Sequence, residues 1–499
     1  MDIKPEIIPN TQSEEGYQFY TKPYEHQRRA FDISKDEIEY ALFMEMGTGK
    51  TKVLIDNAAY LFQQGKITGL VVIAPKAIYR NWIAEIETHC PIATQVCYYD
   101  SYLTSAKLKE IQNFLSSKSI NLKVLLVNTE AFSSKKVLPF VYPFVKFNRV
   151  MIAIDESTSI KSPTALRTKE LIKVGSYAKY RRILTGSPIT HSPLDLYSQC
   201  MFLSPHLLGF KSFVAFRSRY AVLQQVTMGN RSFHIVSGFQ RLEELQVKLK
   251  RFSYRVTKTD CLDLPPKVYV TRTVELSDEQ NKMYTQMAKF AVLEIERLGL
   301  VSAPIILNKL EKLHQIVCGH LKTDTGVTIN MPNGRITELL HVLEETSGKV
   351  LIWCAYREDV RLIKVALNKA YNEDQSAMYY GDTSQDGREV IRRRFQDPKD
   401  PLRFFISTMA TGKFGATLTQ ADVEVYYSNT NNLEYRIQSE DRAHRIGSEI
   451  HEKITIIDLV APKTVDEKYL KNIKKKTDLA NEVTDAIKDG SWRQYFNVT

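Results

Sequence analysis

Residues 44–51, MEMGTGKT, combine glycines, a lysine and a hydroxyl in an order suited to holding phosphate. The backbone N–H groups that could point at phosphate oxygens are those of Gly47, Thr48 and Gly49. Lys50 would reach the outer phosphates of a nucleotide, and the Thr51 hydroxyl would ligate Mg²⁺. The segment follows an apolar run and opens a helical pattern, whose N-terminus also favours anions. A shortened phosphate-binding loop is therefore predicted, with Met44 where the full pattern has glycine.

Two adjacent carboxylates follow about a hundred residues later, in VMIAIDES at residues 150–157. A carboxylate at the end of a buried strand can hold Mg²⁺ through water, and Asp155 suits that role. Glu156 beside it could orient or deprotonate an attacking water molecule. Together with the upstream loop, the pair predicts a site for phosphoryl transfer to water.

The segment QSEDRAHRIG, residues 438–447, places a glutamine and two arginines at offsets of four and three. On a helix these offsets put Gln438, Arg442 and Arg445 on one face, one above the other. Two neighbouring guanidinium groups repel each other, so such a face gains most when it meets an anion. The spacing predicts a helix with an arginine face that binds an anion.

Apolar runs that alternate with helical patterns must position these residues. In the first half of the chain we predict strands at residues 40–45, 69–75, 123–128, 149–156 and 182–186. In the second half we predict strands at residues 349–355, 377–381, 403–409, 423–428 and 454–460. Nearly continuous apolar strands separated by helices are typical of parallel sheets covered on both faces. The pattern predicts two α/β domains of similar design.

The region between the two sets, about 205–330, has few strand-like runs. Helices are predicted within residues 239–252 and 277–298, and the Pro-Pro pair of residues 262–267 predicts an extended linker. The segment HQIVCGH, residues 314–320, holds two histidines and a cysteine, as some zinc sites do. Only three ligands are present and no partner pair lies at metal spacing, so no metal is expected there.

Composition favours a polyanionic partner, with nucleic acid first among them. The 499 residues carry 68 Lys and Arg against 57 Asp and Glu, a net charge of +11, and 43% of them are apolar. The six cysteines form no CxxC pair and the N-terminus lacks a signal-peptide pattern. We therefore expect reduced thiols and an intracellular protein, cytoplasmic or nucleoid-associated. No apolar run approaches the ~20 residues of a membrane span, so no membrane partner is expected.

The motifs occur together in a characteristic order. GTGKT, DEST, LTGSPI and QSEDRAHRIG resemble the motifs of superfamily 2 helicases, and the last is similar to the signature of the Swi/Snf-like branch of DNA translocases. KPYEHQ, IAPKAIYRNW and VNTEAF in the first half resemble further motifs of that family. VLIWCAY, YYGDTS and STMATGKFGATLTQAD do so in the second half. The resemblance covers roughly residues 20–480.

The resemblance implies roles for individual residues. The nucleotide would be ATP with Mg²⁺, bound by Gln27, Gly47, Thr48, Gly49, Lys50 and Thr51, with Gln27 on adenine and with Thr51 and Asp155 on the metal. The implied catalytic set is Lys50, Asp155, Glu156, Gln438, Arg442 and Arg445. Thr185 and Ser187 would relay the nucleotide state toward DNA. The implied contacts to DNA phosphates are Lys76, Arg80 and Lys413.

Four positions depart from the usual pattern of the family. Thr417 and Ser428 stand where Asn and Asp are common, and Thr158 replaces a His or Gln. The segment STMATGKFG carries one extra residue. These changes concern the coupling to DNA and leave the residues of the ATP chemistry intact.

The resemblance implies two RecA-like parallel-sheet lobes with a helical insertion between them. The expected boundaries are residues 1–204 for the first lobe, 205–331 for the insertion and linker, 332–480 for the second lobe and 481–499 for a C-terminal tail. The implied activity is a DNA-dependent ATPase that couples hydrolysis to movement on duplex or branched DNA.

Several functions fit this activity. A compact motor for fork or Holliday-junction branch migration, as in phage or bacterial recombination and repair, is the leading hypothesis, because no chromatin-reading module is evident. The alternatives are a remodeller that displaces proteins from DNA, and a DNA-binding, ATP-driven switch without net translocation. The expected partner is duplex, forked or four-way DNA, contacted mainly through its phosphate backbone, and the sequence identifies no protein partner.

Overall fold

The computed structural model describes residues 17–100, 103–190, 192–228, 231–298, 303–412 and 417–475. It divides into two compact units, Met1–Leu262 and Asp263–Thr499. Each unit is built around one parallel sheet flanked by helices. Within the described ranges, no helix is long and apolar enough to cross a membrane.

The first unit contains a seven-stranded sheet and a separate hairpin. Its strands are β1 (Glu39–Met44), β2 (Gly69–Ile73), β3 (Thr94–Tyr98), β4 (Leu122–Val127), β5 (Val150–Asp155), β6 (Tyr180–Leu184), β7 (Ala221–Met228), β8 (Arg231–Phe239) and β9 (Ser253–Val256). The sheet has the order β3-β4-β2-β5-β6-β1-β9, and its neighbouring strands are parallel. Strands β7 and β8 pair antiparallel as a two-stranded sheet. Because β2, β4 and β5 are buried along their whole length, the sheet needs cover on both faces.

The helices of the first unit connect these strands. They are α1 (Glu25–Ser34), α2 (Lys50–Gln63), α3 (Tyr79–His89), α4 (Ser105–Ser116), α5 (Leu138–Phe147), α6 (Leu166–Gly175), α7 (Leu196–Leu203), α8 (Phe213–Tyr220), α9 (Leu242–Lys250) and α10 (Lys258–Cys261). Two begin at hydroxyl caps, since the Thr104 side chain accepts the N–H of Lys107 and the Ser212 side chain that of Ala215.

A fully buried arginine fixes the end of α1 to the sheet. Arg182 on β6 donates to the carbonyl oxygens of Ser34 (2.6 Å) and Glu37 (2.7 Å). Burial lowers the pKa of Arg182 to about 10. These charge-assisted bonds hold the connection between α1 and β1, and thereby the helix that carries Gln27.

The second unit has a six-stranded parallel sheet of order β10-β17-β16-β13-β15-β14 and a short hairpin of β11 and β12. Its strands are β10 (Lys267–Thr273), β11 (His320–Lys322), β12 (Thr328–Asn330), β13 (Lys349–Cys354), β14 (Ser376–Tyr379), β15 (Phe404–Thr408), β16 (Ala421–Tyr426) and β17 (Ile454–Val460). Its helices are α11 (Asp278–Leu298), α12 (Ala303–Val317), α13 (Gly334–Glu344), α14 (Arg357–Ala370), α15 (Gln385–Gln396), α16 (Met409–Gly412), α17 (Leu433–Glu440) and α18 (Val465–Lys475).

The expected fold class is confirmed. All ten predicted strands occur, with ends displaced by two residues or fewer, and α9 and α11 lie within the two predicted middle helices. The segment between α10 and β10 belongs to no helix or strand, in keeping with the linker predicted from its two prolines. The tail predicted at residues 481–499 lies outside the described residues.

The middle region contains more strands than its sequence suggested. Six of them, β7 to β12, lie between residues 221 and 330. They lack continuous apolar runs because two form a partly exposed hairpin and β9 and β10 are edge strands, each with one sheet neighbour. The proposed insertion of residues 205–331 is divided between the units, since the first unit extends to Leu262.

Candidate functional site

The predicted phosphate loop connects β1 to α2. Gly47 and Gly49 have φ of +84° and +86°, a conformation that glycine adopts without strain. A Cβ atom on Gly49 would lie 2.2 Å from Nε2 of Gln27, so a side chain does not fit there. Lys50 opens α2, and its Nζ donates to the carbonyl oxygen of Glu45 at 3.2 Å. With Thr51 in the same first turn, the loop ends at the N-terminus of a 14-residue helix, where an anion is favoured.

Two side chains from α1 support this loop. The carbonyl oxygen of Thr48 bonds to Nε2 of His26 at 2.8 Å and accepts from Nε2 of Gln27 at 3.1 Å. Oε1 of Gln27 accepts the N–H of Tyr24, which orients the amide. The structure therefore gives Gln27 a contact to the loop, in addition to the adenine contact that the motif predicts. His26 was missed by sequence reasoning, and its only signal is its position beside Gln27.

Asp155 stands at the carboxyl end of β5 and is held on both oxygens. Its Oδ2 accepts the indole N–H of Trp82 on α3 at 3.0 Å, and its Oδ1 accepts the N–H of Glu156 at 3.0 Å. Burial raises the pKa of Asp155, whereas the Lys50 ammonium and the Trp82 hydrogen bond oppose that rise. Trp82 is a core residue, 1% exposed. Its hydrogen bond to Asp155 was not predicted.

Glu156 has an uncommon backbone conformation. Its φ of +52° lies in the left-handed region, where residues other than glycine are rare and strained. Its carbonyl oxygen accepts the N–H of Ser159, so the short 3₁₀ helix Ser157–Ile160 maintains this conformation. The left-handed backbone at Glu156 turns the chain away from the direction of β5. The adjacent carboxylates of Asp155 and Glu156 therefore lie in different surroundings.

The turn of residues 185–187 lies against the phosphate loop. A Cβ atom on Gly186 would lie 2.9 Å from the backbone nitrogen of Met46, so this close approach requires glycine. Thr185 is buried, and its hydroxyl accepts the N–H of Ser187 at 3.2 Å, while Ser187 itself is exposed. Strands β5, β6 and β1 are parallel neighbours, so the loops that follow them meet at one edge.

The candidate DNA contacts of the first unit lie after β2. Lys76 belongs to the 3₁₀ turn Lys76–Ile78, and its Nζ pairs with Oδ1 of Asp100 at 2.8 Å. Arg80 is exposed in the first turn of α3. Lys413 lies outside the described residues.

The predicted arginine helix is shorter than expected. Helix α17 ends at Glu440, so Arg442 and Arg445 lie in the turns that follow, and the prediction that one helical face carries them with Gln438 is wrong. The carbonyl oxygen of Gln438 accepts from Nε of Arg442 at 3.0 Å, while the backbone N–H of Arg442 bonds to Ser439. A side chain thus takes the acceptor that a continuing helix would give to the main chain. Nε2 of Gln438 donates to Glu434 at 2.9 Å.

A buried ion cluster fixes α17 on the second sheet. The Arg436 guanidinium donates to Asp458 on β17 at 2.5 and 3.1 Å and to Glu440 at 2.8 Å. Glu440 also accepts from Lys267 and Tyr269 on β10, both at 2.9 Å. Although burial acts to raise it, the charges of Lys267 and Arg436 lower the pKa of Glu440 to about 2. The spacing of Arg436 and Glu440 is the one sequence signal that could have predicted this cluster.

A second tryptophan repeats the arrangement of the first. The indole N–H of Trp353 on β13 donates to Oε2 of Glu424 on β16 at 2.6 Å. Trp353 is fully buried, as expected of a core residue. Burial first, and then the nearby Glu440 carboxylate, raise the pKa of Glu424 to about 8. A neutral carboxyl group therefore lies within the second sheet near neutral pH.

The histidines of HQIVCGH have carboxylate partners. His314 lies 3.0 Å from Asp466 and 2.8 Å from the Tyr356 hydroxyl, and His320 lies 2.8 Å from Asp359. Among the described residues, no group of three or more His, Cys, Asp or Glu side chains could hold a metal ion.

The chain matches two family models and several known proteins. The SNF2-related domain model matches residues 31–321, and the helicase conserved C-terminal domain model matches residues 334–447. The probable ATP-dependent DNA helicase CHR12 of Arabidopsis thaliana is 26% identical over 89% of this chain and 40% of its own length. The SWI/SNF chromatin-remodeling complex subunit snf22 of Schizosaccharomyces pombe is 26% identical over 89% of this chain and 26% of its own length.

The chain therefore spans 40% or less of the length of these two relatives. Among solved structures, the Sulfolobus solfataricus SWI2/SNF2 ATPase core in complex with dsDNA aligns with 98% of this chain and 100% of its own. The sequence identity is 22% and the TM-score is 0.42.

Proposed function

Because the chain belongs to the SNF2-related family, we propose that it hydrolyses ATP and uses the hydrolysis to move on DNA. One observation carries this proposal: the phosphate loop, the carboxylates of Asp155 and Glu156 and the turn of residues 185–187 meet at one edge of the first sheet. A phosphate cradle, a metal-binding carboxylate and a group that positions water are the parts that ATP hydrolysis needs.

The residues of the first unit take the following roles in this proposal. Lys50 and the loop N–H groups hold the phosphates, and Gln27 contacts adenine. Each oxygen of Asp155 has two lone-pair sites, of which its hydrogen bonds use one, so Asp155 and the Thr51 hydroxyl fit Mg²⁺. Bound there, the ion would neutralise charge on the phosphate oxygens. Glu156 orients the attacking water and accepts its proton.

The second unit contributes positive charge to hydrolysis. Arg442 and Arg445 are proposed to stabilise the charge that develops on the transferred phosphoryl group, with Gln438 beside them. The bond from the Arg442 side chain to the main-chain carbonyl of Gln438 supports a position of Arg442 beside the end of α17.

The DNA substrate is proposed to be duplex or branched, and the preferred reaction is remodelling of forks or four-way junctions. Lys76, Arg80 and Lys413 would contact backbone phosphates, and the net charge of +11 supports such a partner. A protein-displacing role is the second candidate, because one relative is named as a subunit of a chromatin-remodeling complex.

The test combines hydrolysis with movement. ATP turnover is measured with single-stranded, duplex, forked and four-way DNA, and displacement of a triplex-forming strand is measured with and without ATP. We expect stimulation by duplex or branched DNA and displacement that requires ATP. Lys50→Ala serves as the control and should abolish both activities, because it removes the charge that holds the outer phosphates.

The outcomes separate the competing functions. DNA-stimulated hydrolysis without strand displacement would identify a switch and contradict the motor. Near-normal turnover of Lys50→Ala would refute the assignment of the phosphate loop. Removal of a bound protein block without movement of four-way DNA would favour the protein-displacing role.

A further inference from the structure

The side-chain amide of Gln199 on α7 forms hydrogen bonds within the first unit through both its nitrogen and its oxygen. The residue is fully buried. Its Nε2 donates to the carbonyl oxygens of Pro188 at 2.8 Å and Asp195 at 2.9 Å. Its Oε1 accepts from the hydroxyl of Ser157 at 2.7 Å. A buried amide with both donor hydrogens and its oxygen bonded is costly to move, because each broken bond leaves an unpaired group.

The partners of Gln199 belong to the two segments that carry the proposed chemistry. Ser157 directly follows Glu156, and its side chain is fully buried. Pro188 directly follows Ser187, the exposed residue of the turn of residues 185–187. The Gln199 side chain therefore joins the loop after β5, through the Ser157 hydroxyl, to the loop after β6, through the main-chain carbonyl of Pro188.

A second bridge lies alongside the first. Nζ of Lys161 donates to the Thr190 hydroxyl at 2.7 Å, and that hydroxyl donates to Oδ2 of Asp195 at 2.9 Å. This bridge also runs from the segment after β5 to the segment after β6. Two parallel connections thus link the loops after β5 and β6 to each other and to the start of α7.

Aromatic contacts connect α7 to α8. The ring of Tyr197 lies 5.5 Å from that of Phe213 and 5.4 Å from that of Phe216, between ring centres. Both phenylalanines belong to α8, which also carries Arg217 and Arg219. A displacement at Glu156 can thus reach a basic helix through packed side chains.

We propose that Gln199 is a positioning residue that transmits the state of the site at Glu156 to the turn of residues 185–187 and to α7. The inference rests on the proposed DNA-stimulated ATPase and deepens it. Gln199 contacts neither nucleotide nor water in this role. It sets the distance between the two loops, so that stimulation by DNA and hydrolysis of ATP depend on each other.

The test compares Gln199→Leu, which keeps the side-chain volume and removes the amide, with Ser157→Ala, which removes one hydroxyl. Ser198→Ala is the matched control, since that buried hydroxyl on the same helix has no hydrogen-bond partner among the described residues. KM for ATP, kcat without DNA and kcat with saturating duplex DNA are measured at one temperature, below the melting point of every variant.

We expect the DNA-stimulated kcat of Gln199→Leu and Ser157→Ala to fall about 3–30-fold, the range for couplings through packed networks. KM for ATP and the DNA-free kcat should change less than about twofold, because no group that touches nucleotide is altered. The double variant should lose no more than the more affected single variant, because both changes break the same bridge. Ser198→Ala should behave as the wild type.

The outcomes distinguish this inference from the proposed function. A wild-type chain whose hydrolysis DNA does not stimulate would overturn both. A stimulated wild type with equally stimulated, folded variants would overturn the role of Gln199 alone. Equal losses with and without DNA would also overturn it, because they would indicate a purely structural role. If Gln199→Leu does not fold, Ser157→Ala decides by the same criteria.

Discussion

At the scale of single residues, Asp155 and Glu156 show how neighbouring carboxyl groups acquire different functions. Asp155 is buried and accepts hydrogen bonds on both oxygens, which fixes the orientation of the carboxylate that we propose as a metal ligand. Glu156 is partly exposed on a left-handed backbone, where its carboxylate can meet water. The difference comes from the backbone reversal at the end of β5, and identical side-chain chemistry therefore supports two roles.

Glu156→Gln should retain ATP binding and lose turnover by at least about 100-fold, the lower end of the range for general-base catalysis. The substitution keeps the shape and removes the group that accepts the proton. Binding of a fluorescent ATP analogue and steady-state hydrolysis measure the two properties separately. Loss of binding together with turnover would mean that Glu156 holds the loop structure instead.

Trp82→Phe should raise the Mg²⁺ concentration needed for half-maximal hydrolysis by about tenfold, as expected for loss of a group that orients a ligand. The indole hydrogen bond favours ionised Asp155, so its removal adds to the rise in pKa that burial causes. Activity is lost as pH falls through that pKa, so the acid limb of the rate profile should move to higher pH.

The matched control for this change is Tyr79→Phe. It removes a buried hydroxyl on the same helix that has no hydrogen-bond partner within the described part of the chain. Hydrolysis is measured from pH 5 to 9 at several Mg²⁺ concentrations. The pH profile and the Mg²⁺ dependence of this control should match those of the wild type. An unshifted acid limb in folded Trp82→Phe would show that the indole does not tune Asp155.

The local motifs of the candidate site were predictable from the sequence. The distant residues that form hydrogen bonds with them were not. The phosphate loop and the carboxylate pair are short patterns whose residue types state their chemistry. Trp82 is 73 residues from Asp155, and Gln199 is 42 residues from Ser157. Nothing local in the sequence marks these hydrogen bonds, because the packing of helices onto the sheet creates them.

At the scale of secondary-structure elements, α17 has an end that the periodicity of the sequence did not predict. The offsets of four and three around Gln438 are correct for a helix, yet the helix ends at Glu440. At this end the Arg442 guanidinium competes with its own backbone N–H for nearby carbonyl groups. A pattern of residue spacings does not contain that competition, whereas the apolar strands that the sequence did predict have no comparable alternative.

Strand β16 carries a prediction about stability. The pKa of Glu424 is 4.5 when unperturbed and about 8 in the folded chain, so between these values unfolding releases a proton and stability falls as pH rises. Glu424→Gln does not titrate. Its stability relative to the wild type should therefore increase between pH 5 and pH 8, by roughly 2–4 kcal/mol from the linkage relation.

Urea unfolding of both proteins at pH 5 and pH 8 tests this expectation. The change in the difference between their unfolding free energies is the informative quantity, because it cancels the effect of the substitution on packing. A difference that stays constant with pH would mean that Glu424 is ionised in the folded chain.

At the scale of the whole molecule, hydrolysis should require groups from both units. Arg445→Ala is expected to lower DNA-stimulated turnover roughly 10³–10⁵-fold, the effect of removing an arginine that stabilises phosphoryl transfer. The melting temperature should change little. Turnover and thermal unfolding are compared with those of Arg357→Ala, an exposed arginine of the same unit paired with Asp382.

The control Arg357→Ala should retain activity. A loss of less than about tenfold in Arg445→Ala would exclude this residue from the transition state, and the same measurement on Arg442→Ala would then identify the active arginine. Equal, large losses in both variants would show that the two guanidinium groups act together.

The two parallel sheets were predictable because their central strands are buried on both faces and are therefore mostly apolar. The edge strands β9 and β10 were not, since alternating polar residues such as those of SYRV carry little signal. Their pairing is with β1 and β17, which lie about 200 residues away in the sequence, and only the completed sheet reveals it.

The place of β1 in the sheet also determines how long this strand stays incompletely paired during biosynthesis. Its two neighbours are β6 and β9, so the strand that leads into the phosphate loop ends at Met44 but cannot be paired on both sides until Val256 has left the ribosome. At translation rates of about 5–20 residues per second, the intervening stretch takes roughly 10–40 s to synthesise. During that interval an apolar strand in the nascent chain has open hydrogen-bonding edges, which makes it a natural binding segment for a chaperone.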